Sequence, residues 1–157
     1  MNIRPADRTD IPALVRLMQA VQSLHADAHP DLFDAKLDDG GAKAFFDRLL
    51  ASPRNLDLVA EISRTVIAYV WCEELAGSQG FHRKDTRYAY IHHVSVDPNR
   101  LRRGIGKALV ERAMGELKAL GAVSVGVDYW TFNDRARAFF AALGFTSQRE
   151  VLSKRLT

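Results

Sequence analysis

Hydrophobic residues follow two different periods along the chain, and each change of period marks a predicted element. Apolar side chains recur three or four positions apart within 11–21, which predicts a first helix that tolerates Pro12 in its first turn. A second stripe of this kind, within 109–120, predicts a long helix that ends at Gly121. We expect the element order β-α-α-β-β-β-α-β-α-β. After a short initial strand and the first helix, the predicted helices cover 42–50, 106–120 and 133–143, and the predicted strands cover 56–62, 65–72, 88–96, 123–127 and 145–156.

The segments between these elements carry turn residues. Residues 25–41 mix Pro, Asp and Gly with isolated apolar residues, which indicates a loop or an irregular helix. Ser63 and Arg64 separate two segments rich in β-branched and aromatic residues, which predicts a β-hairpin. Residues 77–85 are predicted to form a polar loop. Pro98 ends the strand before it, because proline lacks the N–H group that a strand ladder needs.

Length and composition favour one globular α/β domain. The chain has 157 residues, of which 47% are hydrophobic and 26% charged, so we expect a single domain over 1–157 with a sizeable core. No apolar run approaches the roughly 20 residues of a membrane helix, and we expect no membrane partner. The charged residues within 4–10 disfavour a secretory signal, and the lone Cys72 cannot form an internal disulfide. These features predict a cytoplasmic protein.

The position of the charges is more informative than the net charge. Lys and Arg number 22 against 19 Asp and Glu, and a formal net charge of +3 is weak evidence for a nucleic-acid partner. Several basic residues instead lie close to two glycines, which indicates a local anion site. This group consists of Arg100, Arg102, Arg103 and Lys107 around Gly104 and Gly106.

The segment 94–107 reads as a strand, a turn, a basic loop with glycines and the start of a helix. Glycine lets backbone N–H groups approach an anion, the helix end offers unpaired donors, and arginine adds charge-assisted hydrogen bonds. The segment therefore predicts a phosphate site. It lacks the glycine spacing of a nucleoside-triphosphate loop, and Gly104-Ile105-Gly106 lacks the third glycine of a dinucleotide fingerprint.

Two motifs in this sequence resemble those of the GNAT superfamily of N-acetyltransferases. The first ends in Gly104-Ile105-Gly106, like the family's motif A, which ends in Gln/Arg-x-x-Gly-x-Gly/Ala. The second, within 133–145, has the Asn, Ala, aromatic and Gly-Phe pattern of the family's motif B. The resemblance extends to the element order over most of the chain, while residues 20–55 lie outside it. It departs from the family at Leu101, where motif A has Gln or Arg.

The resemblance implies an α/β (α+β) GNAT fold, in which helices flank a mixed, mostly antiparallel central sheet. It implies acetyl-CoA as co-substrate, in the cleft between the motif A strand and the following strand. In the family, the motif A strand pairs its backbone with the pantetheine arm, and the loop N–H groups bind the pyrophosphate. The implied cofactor-binding residues are Val94, Ser95, Val96, Arg102, Arg103, Gly104, Ile105, Gly106, Lys107, Asn133 and Arg135.

Attack on a thioester also requires a proton acceptor near the cofactor. An alkylammonium with a pKa near roughly 10 must lose a proton before it reacts, and histidine suits this role. His92 lies four residues before Val96, the register at which arylalkylamine N-acetyltransferases of this superfamily carry a histidine implicated in relaying the amine proton. The resemblance thus implies His92 as the catalytic base, assisted by Tyr90, while strand alternation predicts that His93 faces the other way. A structural histidine, with a water chain as the relay, is the alternative.

The leaving group and the acceptor pocket involve other positions. The family often places a tyrosine in motif B to protonate the departing thiolate, and Phe140 stands at that position here, so Tyr129, Tyr90 or water must serve. In the family, the first helices and the loop between them lie over the substrate cleft. In keeping with that placement, we expect histidine and aromatic residues near this loop to shape the acceptor pocket. Ordinary core packing is the alternative for the aromatic residues. The implied substrate-binding residues are His25, Phe33 and Trp130.

A metal site is not expected. His25 and His29 are four residues apart, but no His-Glu-x-x-His arrangement and no third ligand accompany them.

We therefore expect acetyl-CoA-dependent acetylation of a primary amine on a small molecule or a peptide, by direct attack in a ternary complex. A catalytically silent acyl-CoA-binding sensor of the same fold is the alternative, because Phe140 cannot donate a proton. Nucleic-acid binding is a distant third. The sequence does not identify the acceptor, and a homodimer stays open as an ordinary arrangement for small enzymes.

Overall fold

The computed structural model describes residues 1–75, 87–154 and 156, and its elements follow the predicted order through the last helix. The predicted loop at 77–85 lies outside the described residues. Among those residues, no helix is both long and apolar enough to cross a membrane. The elements are β1 (Asn2–Pro5), α1 (Ile11–Ala28), α2 (Asp39–Leu50), β2 (Asn55–Ile62), β3 (Thr65–Leu75), β4 (Tyr88–Val96), α3 (Ile105–Ala119), β5 (Ser124–Val127) and α4 (Asp134–Ala142).

The five strands form one sheet in the order β1-β2-β3-β4-β5. Pairing is antiparallel from β1 to β4, whereas β5 runs parallel to β4. A parallel pair requires a crossover connection, and α3 supplies it. The predicted mixed, mostly antiparallel sheet flanked by helices is confirmed.

Each face of the sheet carries its own hydrophobic core. Alternation along β3 sends Val70 and Cys72 to one face, where they pack with Leu109 of α3. It sends Tyr69 to the other face, where Phe46 of α2 and two leucines of α1 cover it. Full burial of one such leucine or phenylalanine contributes roughly 1.5–3 kcal/mol. The sheet is therefore held from both sides, with α3 on one face and α1 and α2 on the other.

The first two helices are longer than predicted. α1 continues to Ala28, so His25 lies on a regular helix and not in the predicted loop. α2 begins at Asp39, three residues before the predicted start. The carboxylate of Asp38 accepts a hydrogen bond from the N–H of Gly41 at 2.6 Å and caps this helix. The cap offsets the cost of two glycines in the first turn.

The predicted strand at 145–156 is wrong for the described part of that range, which contains neither strand nor helix. Its apolar side chains do not alternate between core and solvent: Val151, Leu152 and Leu156 are 84%, 89% and 90% exposed. The outer edge of β5 pairs with no other described strand. A strand pattern needs a partner for its backbone groups, and this segment does not meet one in the described fold.

Candidate active site

A β-bulge in β4 places two histidines on the same face of the sheet. His93 lies opposite Trp71 of β3, and Ile91 lies opposite the next β3 residue, so His92 is the extra residue. His92 stacks on Trp71 with ring centroids 4.3 Å apart, and His93 stacks on Tyr69 at 5.4 Å. Tyr69 and Trp71 are two residues apart on β3 and share the face covered by α1 and α2. The expectation that the two histidines face opposite ways is wrong, because the bulge interrupts the alternation.

His92 is the more exposed of the two histidines and contacts a carboxylate. Its Nε2 donates a hydrogen bond to Oε2 of Glu73 at 3.0 Å. The other oxygen of Glu73 forms an ion pair with Arg54 at 3.0 Å. The ring of Tyr90 lies 5.1 Å from the imidazole of His92. His92 is thus both accessible and held in one orientation.

His93 is held as a neutral imidazole. The hydroxyl of Tyr69 donates a hydrogen bond to its Nδ1. Burial raises the pKa of Tyr69, so the phenol keeps its proton and acts as the donor. Burial, together with the charge of His25, lowers the pKa of His93 to about 4. Since Nδ1 is the acceptor, Nε2 carries the ring proton at neutral pH, and His93 serves as a donor there and not as a base.

Tyr90 packs across the pair of parallel strands. Its ring covers Gly126, the residue opposite it on β5, where a Cβ atom would come within 3.0 Å of the ring. Burial raises the pKa of Tyr90 to about 12, and the neighbouring carboxylate of Asp128 acts in the same direction. Tyr90 therefore stays protonated at neutral pH, so its hydroxyl is a hydrogen-bond donor and not a base.

The edge of β4 is open beyond the bulge. β5 pairs with β4 over Tyr88–Ile91 only, while β4 continues to Val96. Val94, Ser95 and Val96 lie on this stretch, whose β5-side edge has no strand partner among the described residues. The hydroxyl of Ser95 is buried and donates to the carbonyl of Leu17 at 2.9 Å, so only the backbone of Ser95 is available to a ligand. An extended ligand can add to such an edge like a strand.

The start of α3 lies directly after this open edge. Gly104 precedes the helix with φ of +76°, a left-handed conformation that glycine adopts without strain. The N–H of Ala108 donates to the carbonyl of Gly104 at 3.0 Å and is the first to bond back into the helix. The N–H groups of Ile105, Gly106 and Lys107 therefore have no partner within the helix.

Basic side chains and a second glycine complete this helix start. Arg102, Arg103 and Lys107 are exposed around it. A Cβ atom on Gly106 would lie 3.4 Å from Val96 and 3.5 Å from Phe139, which is ordinary contact, so α3 starts beside the end of β4 and α4 with no space for a side chain larger than a methyl group. An open strand edge that leads to unpaired N–H groups and cations fits a ligand with an extended arm and a phosphate group.

α4 borders the same region. Asn133 caps this helix, because its Oδ1 accepts a hydrogen bond from the N–H of Ala136 at 3.0 Å, and Arg135 is exposed in the first turn. Phe140 is buried, and its ring is parallel to that of Tyr129 with centroids 6.4 Å apart. The hydroxyl-free side chain at the motif B position thus belongs to the core, and Tyr129 carries a hydroxyl beside it.

Aromatic residues from two distant segments meet on the α1 side and form what we term the ring cluster. His25 and His29 come from the end of α1, Phe33 from the α1–α2 loop, and Trp130 and Phe132 from the β5–α4 loop, with contacting centroids 5.0–6.4 Å apart. Burial lowers the pKa of His25, and the nearby charge of His29 adds to this. The charge of His25 also acts on His93, so the ring cluster adjoins the histidines of β4. In the described ranges, no three metal-ligating side chains come together.

Sequence reasoning did not single out three residues that contact this site: Trp71, Glu73 and Asp128. The predicted third strand ended at 72, although the two-residue period of Tyr69 and Trp71 continues to Glu73. This two-residue period is the sequence signal that could have placed Glu73 on the same strand face as Tyr69 and Trp71. Asp128 directly follows β5, and only the pairing of β4 with β5 brings it to Tyr90.

Comparisons with known proteins identify the family and the fold. The profile of a family described as "Acetyltransferase (GNAT) family" matches residues 18–145. N-alpha-acetyltransferase RimI of Mycobacterium tuberculosis is 33% identical over 118 residues, which are 75% of this chain and 68% of that protein. The ribosomal protein bS18 alanine N-acetyltransferase of Salmonella typhimurium is 35% identical over 57 residues, 36% of this chain and 38% of that protein. The crystal structure of a mutant BH1408 protein from Bacillus halodurans matches with a TM-score of 0.92 at 25% identity, over 100% of both chains.

Proposed function

The chain belongs to the acetyltransferase (GNAT) family and is an N-acetyltransferase, and we propose that it moves the acetyl group of acetyl-CoA to a primary amine of a small molecule or a peptide by direct attack in a ternary complex. One observation carries this proposal: the open edge of β4 leads directly into the unpaired N–H groups at the start of α3. The edge suits an extended pantetheine arm, and the helix start suits a pyrophosphate.

The proposed residues divide into those for the arm and those for the phosphates. Val94, Ser95 and Val96 bind the arm through their backbone, and the Nδ2 group of Asn133 is available for it because only Oδ1 is engaged in capping. The N–H groups of Ile105, Gly106 and Lys107 bind the pyrophosphate, and Gly104 supplies the left-handed turn before them. The side chains of Arg102, Arg103, Lys107 and Arg135 add positive charge.

The proposed chemistry is proton removal followed by acyl transfer. Acetyl-CoA supplies the activated acetyl group, whose C–S bond breaks as a C–N bond forms. His92 accepts the proton of the ammonium group, because it is accessible and not committed to the core as His93 is. Tyr90 stays protonated at neutral pH and, with Tyr129 or water, supplies the proton that the departing thiolate takes. His25, Phe33 and Trp130 form one side of the acceptor pocket.

The test is release of free CoA thiol with a panel of primary amines. The panel contains a peptide with an N-terminal alanine, because one relative is named for acetylation of a ribosomal protein alanine, together with a polyamine and an arylalkylamine. The matched control is the same peptide with its N-terminus already acetylated. We expect thiol release that requires both acetyl-CoA and a free amine, with no release from the blocked peptide.

A catalytically silent acyl-CoA-binding sensor is the second candidate, and one observation favours it. Phe140 is buried in the core and cannot protonate a thiolate. Tight CoA binding without thiol release from any amine in the panel would support the sensor and contradict the proposed transfer.

A further inference from the structure

The carboxylate of Glu73 is shared between His92 and a guanidinium. Its Oε2 accepts a hydrogen bond from His92 Nε2 at 3.0 Å, and its Oε1 forms an ion pair with Arg54 Nη2 at 3.0 Å. The side chains of Glu73 and His92 are 18% and 29% exposed, so water screens this contact less than it screens a fully exposed ion pair. One oxygen of Glu73 thus contacts the imidazole of His92, and the other contacts the guanidinium of Arg54.

Two aromatic rings limit the rotation of the His92 imidazole. Trp71 stacks on it with centroids 4.3 Å apart and ring planes 19° apart. The ring of Tyr90 lies 5.1 Å away and is tilted by 57°. An imidazole in this position whose Nε2 donates to a carboxylate carries its free lone pair on Nδ1.

We propose that Glu73 is the positioning residue of His92: its carboxylate holds the Nε2 proton, so that Nδ1 is the atom that accepts the proton of the amine. Arg54 moderates the negative charge that Glu73 places beside the imidazole. This inference rests on the proposed function, in which His92 is the base, and it adds the atom that reacts and the residue that prepares it. The logic is that of a carboxylate that orients a catalytic histidine and stabilises its protonated form.

Other charged groups surround the same imidazole and must be held constant in a test. His93 follows His92 on β4 and is neutral at neutral pH, and the charge of His25 acts on it from α1. Asp128 and Arg149 both lie beside Tyr90, on the β5 side. Since these groups contact other side chains and not the carboxylate of Glu73, the substitutions that test the inference are made at Glu73 and Arg54 while these groups stay unchanged.

The first measurement is the pH profile of kcat/KM for the amine. Glu73→Gln keeps an acceptor for the Nε2 proton but removes the charge, so kcat/KM should fall about tenfold and the acid limb should move to lower pH. Arg54→Met removes the competing cation, so the acid limb should move to higher pH. Glu73→Ala removes both the charge and the acceptor, and kcat/KM should fall about 100-fold. The CoA Kd should stay unchanged in all three variants.

The second measurement needs no substrate. Ring nitrogen shifts in NMR distinguish the two imidazole tautomers, and the His92 signals are assigned by their loss in His92→Ala. We expect the Nε2–H tautomer in the wild type and in Glu73→Gln, and a mixture in Glu73→Ala. Glu74→Gln, which alters a neighbouring carboxylate that pairs with Arg87, is the matched control and should leave the tautomer and the pH profile unchanged.

Opposite shifts of the acid limb in Glu73→Gln and Arg54→Met, with the expected tautomers, support the inference. Unchanged acid limbs, a shift in one common direction, or an Nδ1–H tautomer in the wild type would overturn it. If Glu73 had only a structural role, its substitution would lower the unfolding temperature, and the acid limbs of Glu73→Gln and Arg54→Met would not move. The proposed function fails if the wild-type protein releases no thiol with any amine. The tautomer can still be measured in that case, because it does not depend on turnover, so the two failures are distinguishable.

Discussion

At the residue scale, the two adjacent histidines of β4 differ in what their hydrogen bonds permit. His93 is neutral and fixed by Tyr69, whereas His92 is accessible beside Glu73. We predict that His92→Ala lowers kcat/KM for the amine by about 10²–10⁴ with CoA affinity nearly unchanged, because the variant lacks the proton acceptor. The deficit should shrink as pH rises, since more of the amine is then already neutral. Steady-state kinetics between pH 6 and 10, together with CoA binding, provide the measurement.

His93→Ala is the matched control, because it removes the neighbouring imidazole on the same face. It leaves the buried hydroxyl of Tyr69 without its partner and creates a cavity, so we expect a lower unfolding temperature and a smaller loss of turnover than in His92→Ala. If His92→Ala kept the wild-type rate across this pH range and only His93→Ala lost activity, the assignment of the proton transfer to His92 would be wrong.

Asp57 is a second residue whose behaviour depends on burial. Its Oδ1 is buried without a hydrogen-bond partner in the described part of the chain, and burial raises its pKa to about 7. Between pH 4 and 7 the unfolded chain has released this proton while the folded chain retains it, so stability falls as pH rises through that window. Asp57→Asn should match the wild type at pH 4 and exceed its unfolding free energy by roughly 3 kcal/mol at pH 8.

Denaturant unfolding of variant and wild type at each pH measures this difference. His93 changes stability in the opposite sense between pH 4 and 6.5, since its pKa is lowered, and the subtraction removes its contribution. Asp27→Asn, on an exposed position of α1, is the control. A difference between Asp57→Asn and wild type that stays constant with pH would contradict the prediction.

At the element scale, the loop before α3 combines backbone geometry with close packing. Gly104→Val should reduce CoA affinity at least tenfold, because a φ of +76° is unfavourable for a branched residue. The backbone at this position would then move to another φ and displace the N–H groups of the helix start. Gly106→Val should do the same through contact with Val96 and Phe139. Calorimetric titration with CoA measures both effects.

The same helix provides the control for these glycine substitutions. A Cβ atom on Gly115 meets nothing within 4 Å, so Gly115→Val tests a valine in α3 away from the loop and should bind CoA normally. Unchanged CoA affinity in a folded Gly104→Val or Gly106→Val protein would exclude this loop as the pyrophosphate site.

At the scale of the whole molecule, the ring cluster joins segments about 100 residues apart in sequence. Trp130 contacts His29 and Phe33 and is 40% exposed as a residue. We predict that Trp130→Ala raises KM for the amine about tenfold and leaves the CoA Kd unchanged, because it removes one wall of the acceptor pocket but not the cofactor cleft. Amine saturation curves at fixed acetyl-CoA provide the measurement.

Leu32→Ala is the comparison for the ring cluster, because Leu32 lies in the same α1–α2 loop and is 62% exposed. It should leave KM near the wild-type value. Equal effects of the two substitutions would indicate a general loosening of the loops and not a contact with the acceptor.

The sequence by itself determined the features that depend on neighbouring residues. Apolar periodicity predicted the helices and the first strands, because a helix or strand must turn one side to the core. The basic loop with Gly104 and Gly106 indicated an anion site and, with the motif B pattern, the family, since backbone freedom and a helix start are local properties.

Only the tertiary structure decided what depends on distant partners. The bulge at His92 is a mismatch between β3 and β4, so it cannot be read from β4 alone, and it placed both histidines on one face. Burial by other elements set the protonation of His93 and Asp57. The 145–156 segment has a strand pattern, but its described part pairs with no strand, although the outer edge of β5 has no partner among the described strands; whether a segment meets an edge depends on its path through the fold and not on its own pattern.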